Sequence, residues 1–269
     1  MEVTDSCRIE VENLRFTYKG SESCVLDNIS FNVALGEKIA LLAPNATGKT
    51  TLFNIITGIL NYFDGSVKIG GVSVNDMTFK DRARKIAIVP QKHEPLFPFT
   101  VRDFIMMGRY PHQNIFGSRT SEDIEIIEKA ATLTGADRFY DRPYNTLSGG
   151  EMQLAVIARS LAQEPQILIL DEPDSHLDFK NRFAIFDLIR RISDSKNMTL
   201  IMSLHDPNAV LRFADRVLAM DNGKIVADGK PSEVITPDLL KTVYGVTVQE
   251  YRNERGEKLY LPEALAAQN

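Results

Sequence analysis

"LLAPNATGKTTLF", Leu41 to Phe53, follows the apolar run "EKIALLA" and leads into the amphipathic stretch "TTLFNIITGIL". Strand, loop, helix is the setting of a loop that cradles phosphate, with successive backbone N–H groups turned inward at the positive end of the helix. Asn45, Ala46 and Thr47 would line such a loop and Gly48 would keep the approach open; Lys49 supplies a cation for the outer phosphates and Thr50, followed by Thr51, a hydroxyl for magnesium. Ala43 and Ala46 stand where two glycines are expected. An alanine there is costly, by about 1–2 kcal/mol, only if the backbone must turn left-handed or has no room for a Cβ. Taken alone, the stretch also reads as an ordinary strand-to-helix corner.

Two other segments shift the balance. "ILILDEP" ends a continuous apolar strand with Asp171 and Glu172, at the carboxyl end where open α/β sheets place ligands. Two acids there are costly without a cation or a substrate proton to face; Asp171 suits the magnesium side, Glu172 a general base for the attacking water. "LSGGEMQ" opens a helix with Ser148, Gly149 and Gly150, which forms a second candidate anion site.

The rest of the chain supplies the scaffold. "RIEVENLRFTY" and "NISFNV" alternate apolar and polar residues and predict half-buried antiparallel strands. "GSVKIGGVSV" turns at Gly70-Gly71, and "IAIVPQ" and "MTLIMSLH" read as buried strands. Helical periods dominate from about 92 to 163, and Asn222-Gly223 marks a hairpin. A helix "PDLLKTVYG" and a last hairpin close the chain. Its 269 residues are 43% hydrophobic, enough for a sizeable core. No apolar run reaches the roughly 18 residues of a membrane span, and "MEVTDSCRIEVENL" lacks the basic start and apolar core of an export signal. Cys7 and Cys24 form no disulfide framework, which fits a reducing, cytoplasmic setting. The net charge of −5, without a basic stripe, argues against nucleic acid as a partner.

With "LSGGEMQ" added to the loop and the acidic pair, the chain resembles an ATP-binding-cassette (ABC) ATPase, over nearly its whole length. The resemblance implies an α/β fold: a P-loop NTPase core (about 1–91 and 164–230) with a mixed sheet and antiparallel N-terminal strands, an inserted helical subdomain (about 92–163), and a C-terminal helix and hairpin (about 231–269). It also implies ATP and Mg2+ as ligands, and a head-to-tail dimer in which Ser148, Gly149 and Gly150 of one copy close over the nucleotide of the other. Tyr18 matches the aromatic that stacks on adenine; Gln91 the glutamine that senses magnesium and water; Asp178 the aspartate that communicates across the dimer, with an N-cap as an equally physical role; and His205 the switch histidine at the γ-phosphate. "FPFTVRDFIMMGRYPH", and "GRYPH" (Gly108 to His112) most of all, resembles the importer branch for iron-siderophores, haem and cobalamin. That branch implies membrane permease partners, a substrate-binding protein acting indirectly, and a place on the cytoplasmic face of the cell membrane. The crowded apolar residues Leu96, Phe97, Phe99, Phe104, Met106 and Met107 are divided between subdomain core and a docking patch, with Phe97 or Phe99 as the candidates for docking. A soluble cassette acting on a non-membrane partner is the alternative, and a degenerate, non-hydrolysing module is a third.

Overall fold

Alternate apolar residues bury one face of a strand, and along β1 (Ile9–Phe16) Ile9 and Val11 do so, then, past a register shift where Asn13 takes φ 50°, Leu14 and Phe16. The computed structural model describes residues 9–91, 97–113, 120–175 and 177–263. β2 (Leu26–Val33) pairs antiparallel with β1, and β3 (Lys38–Leu42) leads into α1 (Lys49–Ile56). β4 (Asp64–Ile69), β5 (Val72–Ser73), α2 (Phe79–Lys85) and β6 (Ile86–Val89) follow. Between β6 and β7 the described elements are helical: α3 (Val101–Met106), α4 (Ser121–Thr134) and α5 (Gly149–Ala162), with short 3-10 turns between them. The start of each is fixed by its own cap, in which Thr100, Thr120 and Ser148 accept the N–H three residues on.

The remaining elements are β7 (Ile167–Asp171), α6 (Phe179–Lys196), β8 (Thr199–Leu204), α7 (Pro207–Phe213), β9 (Arg216–Asp221), β10 (Lys224–Gly229), α8 (Pro231–Val234), α9 (Pro237–Tyr244), β11 (Val248–Arg252) and β12 (Lys258–Pro262). The antiparallel opening strands stand apart as a sheet of their own, in the order β2-β1-β4-β5, while the second sheet runs β10-β9-β3-β8-β7-β6. All its neighbours are parallel except β10, which pairs antiparallel with β9. The separation follows from burial. Strands of the parallel sheet are covered on both faces: Ile167 and Ile169 join one core with the antiparallel sheet and α1, whereas Leu168 and Leu170 join the other with the helices.

The "GRYPH" stretch has a structural basis. A Cβ on Gly108 would lie 2.2 Å from the Arg159 carbonyl oxygen, so glycine lets the chain touch the backbone of α5. Arg109 is buried, donates to Asp123 Oδ1 at 2.8 Å, and reaches the Ala162 carbonyl and Glu164 at 2.8 and 2.9 Å. Burial by itself would raise the Asp123 carboxyl, but hydrogen bonds from Arg109 and Thr120 outweigh it and hold the carboxyl below its ordinary range. Arg109→Ala removes the charge partner of that buried carboxylate, leaving it the Thr120 donors alone, and is expected to cost about 3 kcal/mol of unfolding free energy, measured by denaturant titration. Since the folded-state pKa is depressed, the parent's contribution from Asp123 is present above the ordinary carboxyl range and is lost as pH falls through the lowered value.

Candidate functional site

β3, β8 and β7 are adjacent and parallel, so the loops that leave their carboxyl ends meet. The loop after β3 turns left-handed at Ala46 (φ 62°) and Gly48 (φ 96°). At Gly48 a Cβ would fall 2.8 Å from Leu26 Cδ2 and 2.9 Å from the Val25 carbonyl oxygen, so only glycine fits. The two alanines therefore differ. Ala43 is fully buried with φ in the usual negative range, and only Ala46 carries conformational strain. Ala46→Gly is expected to stabilise the chain by about 0.5–1 kcal/mol, once the extra flexibility of the unfolded glycine is set against the relieved strain. Ala43→Gly is expected to destabilise by about 1–2 kcal/mol, through a lost buried methyl and added flexibility. Chemical denaturation of the two variants separates them; equal shifts would contradict the assignment.

Lys49 opens α1 and is only 5% exposed. Its ammonium donates to the carbonyl oxygens of Ala43 at 3.0 Å and Pro44 at 2.7 Å and lies 3.6 Å from Glu172 Oε1. Burial pushes its pKa down, opposed by the charges of Glu172 and Asp171. Thr47 donates to the Pro44 carbonyl, Asn45 is exposed, and the Thr51 hydroxyl is 3.0 Å from that of Tyr18. Tyr18 itself is 42% exposed and meets Phe16 edge-on.

Asp171 is the last residue of β7 and is buried, with both oxygens engaged: Thr50 donates to Oδ2 and Ser203 to Oδ1, each at 2.7 Å. The Ser203 oxygen also accepts the Glu172 N–H at 2.7 Å. Glu172 adopts φ 49°, unusual for a residue with a side chain, and its carboxylate meets three groups. Gln91 donates to Oε2, and Oε1 lies 2.6 Å from His205 Nε2 and 3.6 Å from the Lys49 ammonium. The other His205 nitrogen, Nδ1, is 3.1 Å from the Ala43 carbonyl, which can only accept, so Nδ1 is the donor there. Lys49, Thr50, Gln91, Asp171, Glu172 and His205 thus form one connected group.

The signature residues lie at a different place. Ser148 N-caps α5, and Glu151 reaches back to its N–H at 2.8 Å and its hydroxyl at 3.0 Å. That backbone hydrogen bond holds the Glu151 carboxyl below its usual range. A carboxylate of the chain thus sits on the helix start read as an anion site. A Cβ on Gly150 would be 3.3 Å from Asn181 Nδ2, and Asp178 N-caps α6 by accepting from the Asn181 N–H at 2.7 Å, which places the two helix starts side by side. Sequence reading passed over Ser203 and Glu151. A lone polar residue in "MTLIMSLH" was the only signal for the first; the Ser-x-x-Glu spacing was a full signal for the second.

A Gly-Lys-Thr helix start, a strand-end Asp-Glu pair and a histidine, gathered on neighbouring ends of a parallel sheet, define a P-loop nucleoside-triphosphatase. The chain belongs to the ABC transporter family, whose model matches residues 26–175. It is 34% identical over 235 residues to the petrobactin import ATP-binding protein FpuC of Bacillus anthracis, covering 87% of this chain and 86% of that protein. To the ferric enterobactin transport ATP-binding protein FepC of Escherichia coli K12 it is 34% identical over 239 residues, covering 89% and 88%. Among solved structures, an inward-facing putative metal-chelate type ABC transporter superposes with a TM-score of 0.83 at 27% identity, over 96% of this chain and 98% of that one. A dimeric bacterial ABC transporter cassette, MJ0796, superposes with a TM-score of 0.72 at 28% identity, over 83% and 98%. The chain is an ATP-binding cassette and an ATPase.

Proposed function

We propose that the chain is the ATP-hydrolysing subunit of a membrane importer for an iron-siderophore, haem, cobalamin or a related metal complex. The observation that carries the enzymatic part is the convergence of Lys49, Thr50, Asp171, Glu172, Gln91 and His205 on the ends of β3, β7 and β8. The names of the relatives and the "GRYPH" stretch support the importer branch. In this reading Lys49 holds the outer phosphates, Glu172 takes the proton of the attacking water, and His205 orients that carboxylate and contacts the γ-phosphate. Gln91 positions the carboxylate and the water. Asn45 to Gly48 and Thr51 line the nucleotide, with the exposed ring of Tyr18 available to adenine.

Magnesium fits the donors present. The Thr50 hydroxyl and the Asp171 carboxylate lie side by side, hard oxygen donors of the kind that hold this ion together with water and phosphate. Among the described residues no three His, Cys, Asp or Glu gather as a metal cage, which suits an ion held largely by the substrate. When bound, it would neutralise charge on the phosphates.

The described helices between β6 and β7 present Ser148, Gly149 and Gly150 to the nucleotide of a second copy, beside Asp178. ATP closes this dimer and hydrolysis resets it. The phosphates would then displace Glu151 from Ser148. Permease subunits tie the chain to the cytoplasmic face of the membrane, and a substrate-binding protein selects the cargo; no helix among the described residues is long and apolar enough to cross a membrane.

Phe104 and Met106 are buried, whereas Phe97 and Phe99 are 62% and 43% exposed and pack on each other at 5.8 Å; Leu96 lies outside the described residues. Their exposure supports Phe97 or Phe99 as the permease contact. Phe97→Ala is expected to leave ATP binding by the lone chain unchanged and to weaken assembly by about 2 kcal/mol, some thirtyfold, with a matching loss of transport. Purifying the tagged chain from solubilised membranes tests both points. The reading requires a polytopic subunit in the parent complex and less of it with Phe97→Ala; a parent that brings no such subunit sinks the importer reading.

A further inference from the structure

α6, α7 and the hairpin of β11 and β12 line a cavity of about 1130 Å³ that is open to solvent, away from the phosphate loop, to which the nucleotide chemistry assigns no task. Its wall combines Phe183, Leu211 and Leu259 with the guanidinium groups of Arg190, Arg212 and Arg255. Two other lining cations, Arg252 and Lys258, share one carboxylate, that of Glu250, at 2.7 and 3.5 Å. The first three are different. Arg190 donates only to the Arg212 carbonyl, at 3.0 Å, and Arg212 lies over the rings of Phe183 and Phe213 at 5.3 and 5.4 Å. Among the described residues none of the three pairs with a carboxylate. The acids on the same wall are committed elsewhere: Asp206 caps α7 by accepting from the Asn208 N–H, and Glu257 accepts from Asn253.

The cavity is also connected to the hydrolytic group. Asn208 exchanges two hydrogen bonds with the backbone of Tyr260 in β12, at 3.0 and 2.8 Å, and lies three residues beyond His205. The Tyr260 hydroxyl anchors the same strand to the Ile235 carbonyl at 2.5 Å and to Glu250 at 3.1 Å. The hairpin that forms one wall of the cavity is therefore fastened to the first turn of α7, which begins two residues after His205.

We propose that this cavity is a regulatory site for a multiply charged organic anion with an apolar body, and that its occupancy changes ATP hydrolysis through α7 and His205. Unpaired guanidinium groups select carboxylates or phosphates, the aromatic and aliphatic wall selects the body, and a ligand that draws the hairpin inward pulls on Asn208.

Trimesate, a benzene ring bearing three carboxylates, is a suitable probe. Calorimetry on the chain saturated with ADP, which fills the phosphate loop, is expected to detect one trimesate per chain. The double variant R190Q/R255Q is expected to bind it about tenfold or more weakly while unfolding at the same temperature as the parent. In hydrolysis assays trimesate is expected to alter the parent's rate, and the double variant to keep the parent's basal rate without that response. A parent saturated with ADP that takes up no trimesate, binding that survives R190Q/R255Q, or a hydrolysis rate indifferent to trimesate overturns the proposal.

Discussion

Glu172→Gln is expected to slow ATP hydrolysis by about 10²–10⁴-fold, the usual range for removing a general base, while ATP still binds. The amide has nearly the carboxylate's shape and keeps an oxygen facing the Lys49 ammonium, 3.6 Å away in the parent. It brings no negative charge to His205 Nε2, which lies 2.6 Å from Oε1 in the parent. Nor can it accept the proton of an attacking water. Removing a negative charge beside bound phosphates also eases repulsion of ATP, so the triphosphate-bound dimer is expected to accumulate. Single-turnover hydrolysis and size-exclusion chromatography with ATP measure the two effects. Hydrolysis at the parent's rate would remove Glu172 from the base's role and favour a carboxylate elsewhere.

The lining of this group was legible wherever one strand or turn decides a residue's place. β7 and β8 are covered on both faces, so they read as unbroken apolar runs, and the residues that end them, Asp171, Glu172 and His205, stand out as polar terminations. Asn222-Gly223 announced a hairpin because few other pairs adopt two successive left-handed conformations, here φ 46° and 73°. What the sequence left open depends on contacts between distant segments. Ala43 and Ala46 look equivalent until the loop is folded, because the left-handed turn falls at Ala46 alone. Ser203 gains meaning only from the register that sets it opposite Asp171. Glu151 illustrates a third case: Ser148-Gly-Gly-Glu151 spells a capping box, yet the same helix start suits phosphate, and sequence alone does not say which carboxylate or anion occupies it.

Lys49→Met is expected to weaken ATP binding by about 30- to 4000-fold, equivalent to the 2–5 kcal/mol lost when one partner of a buried, hydrogen-bonded charge pair is truncated. The effect on the free chain is expected to have the opposite sense. Burial is the largest influence on the Lys49 ammonium, and the attraction of Glu172 and Asp171 does not fully offset it, so its pKa lies below the ordinary value of 10.5. The unfolded chain therefore binds this proton more tightly than the folded one, and folded-state stability rises with pH between the lowered pKa and 10.5. Methionine keeps the length of the stem and removes the charge. The acids it leaves behind retain other partners, Asp171 the hydroxyls of Thr50 and Ser203, and Glu172 those of its contacts that come from His205 and Gln91. The variant's denaturation midpoint at neutral pH should accordingly be no lower than the parent's, although it binds ATP poorly, and the parent's rise in stability toward alkaline pH should be absent from it. A midpoint well below the parent's would mean that the ammonium stabilises the free loop, through the Ala43 and Pro44 carbonyls or the acidic pair, by more than its burial costs. Retained ATP affinity would return the loop to an ordinary strand-to-helix corner. Together the two measurements ask whether Lys49 is held in the fold for stability or against it, in readiness for phosphate.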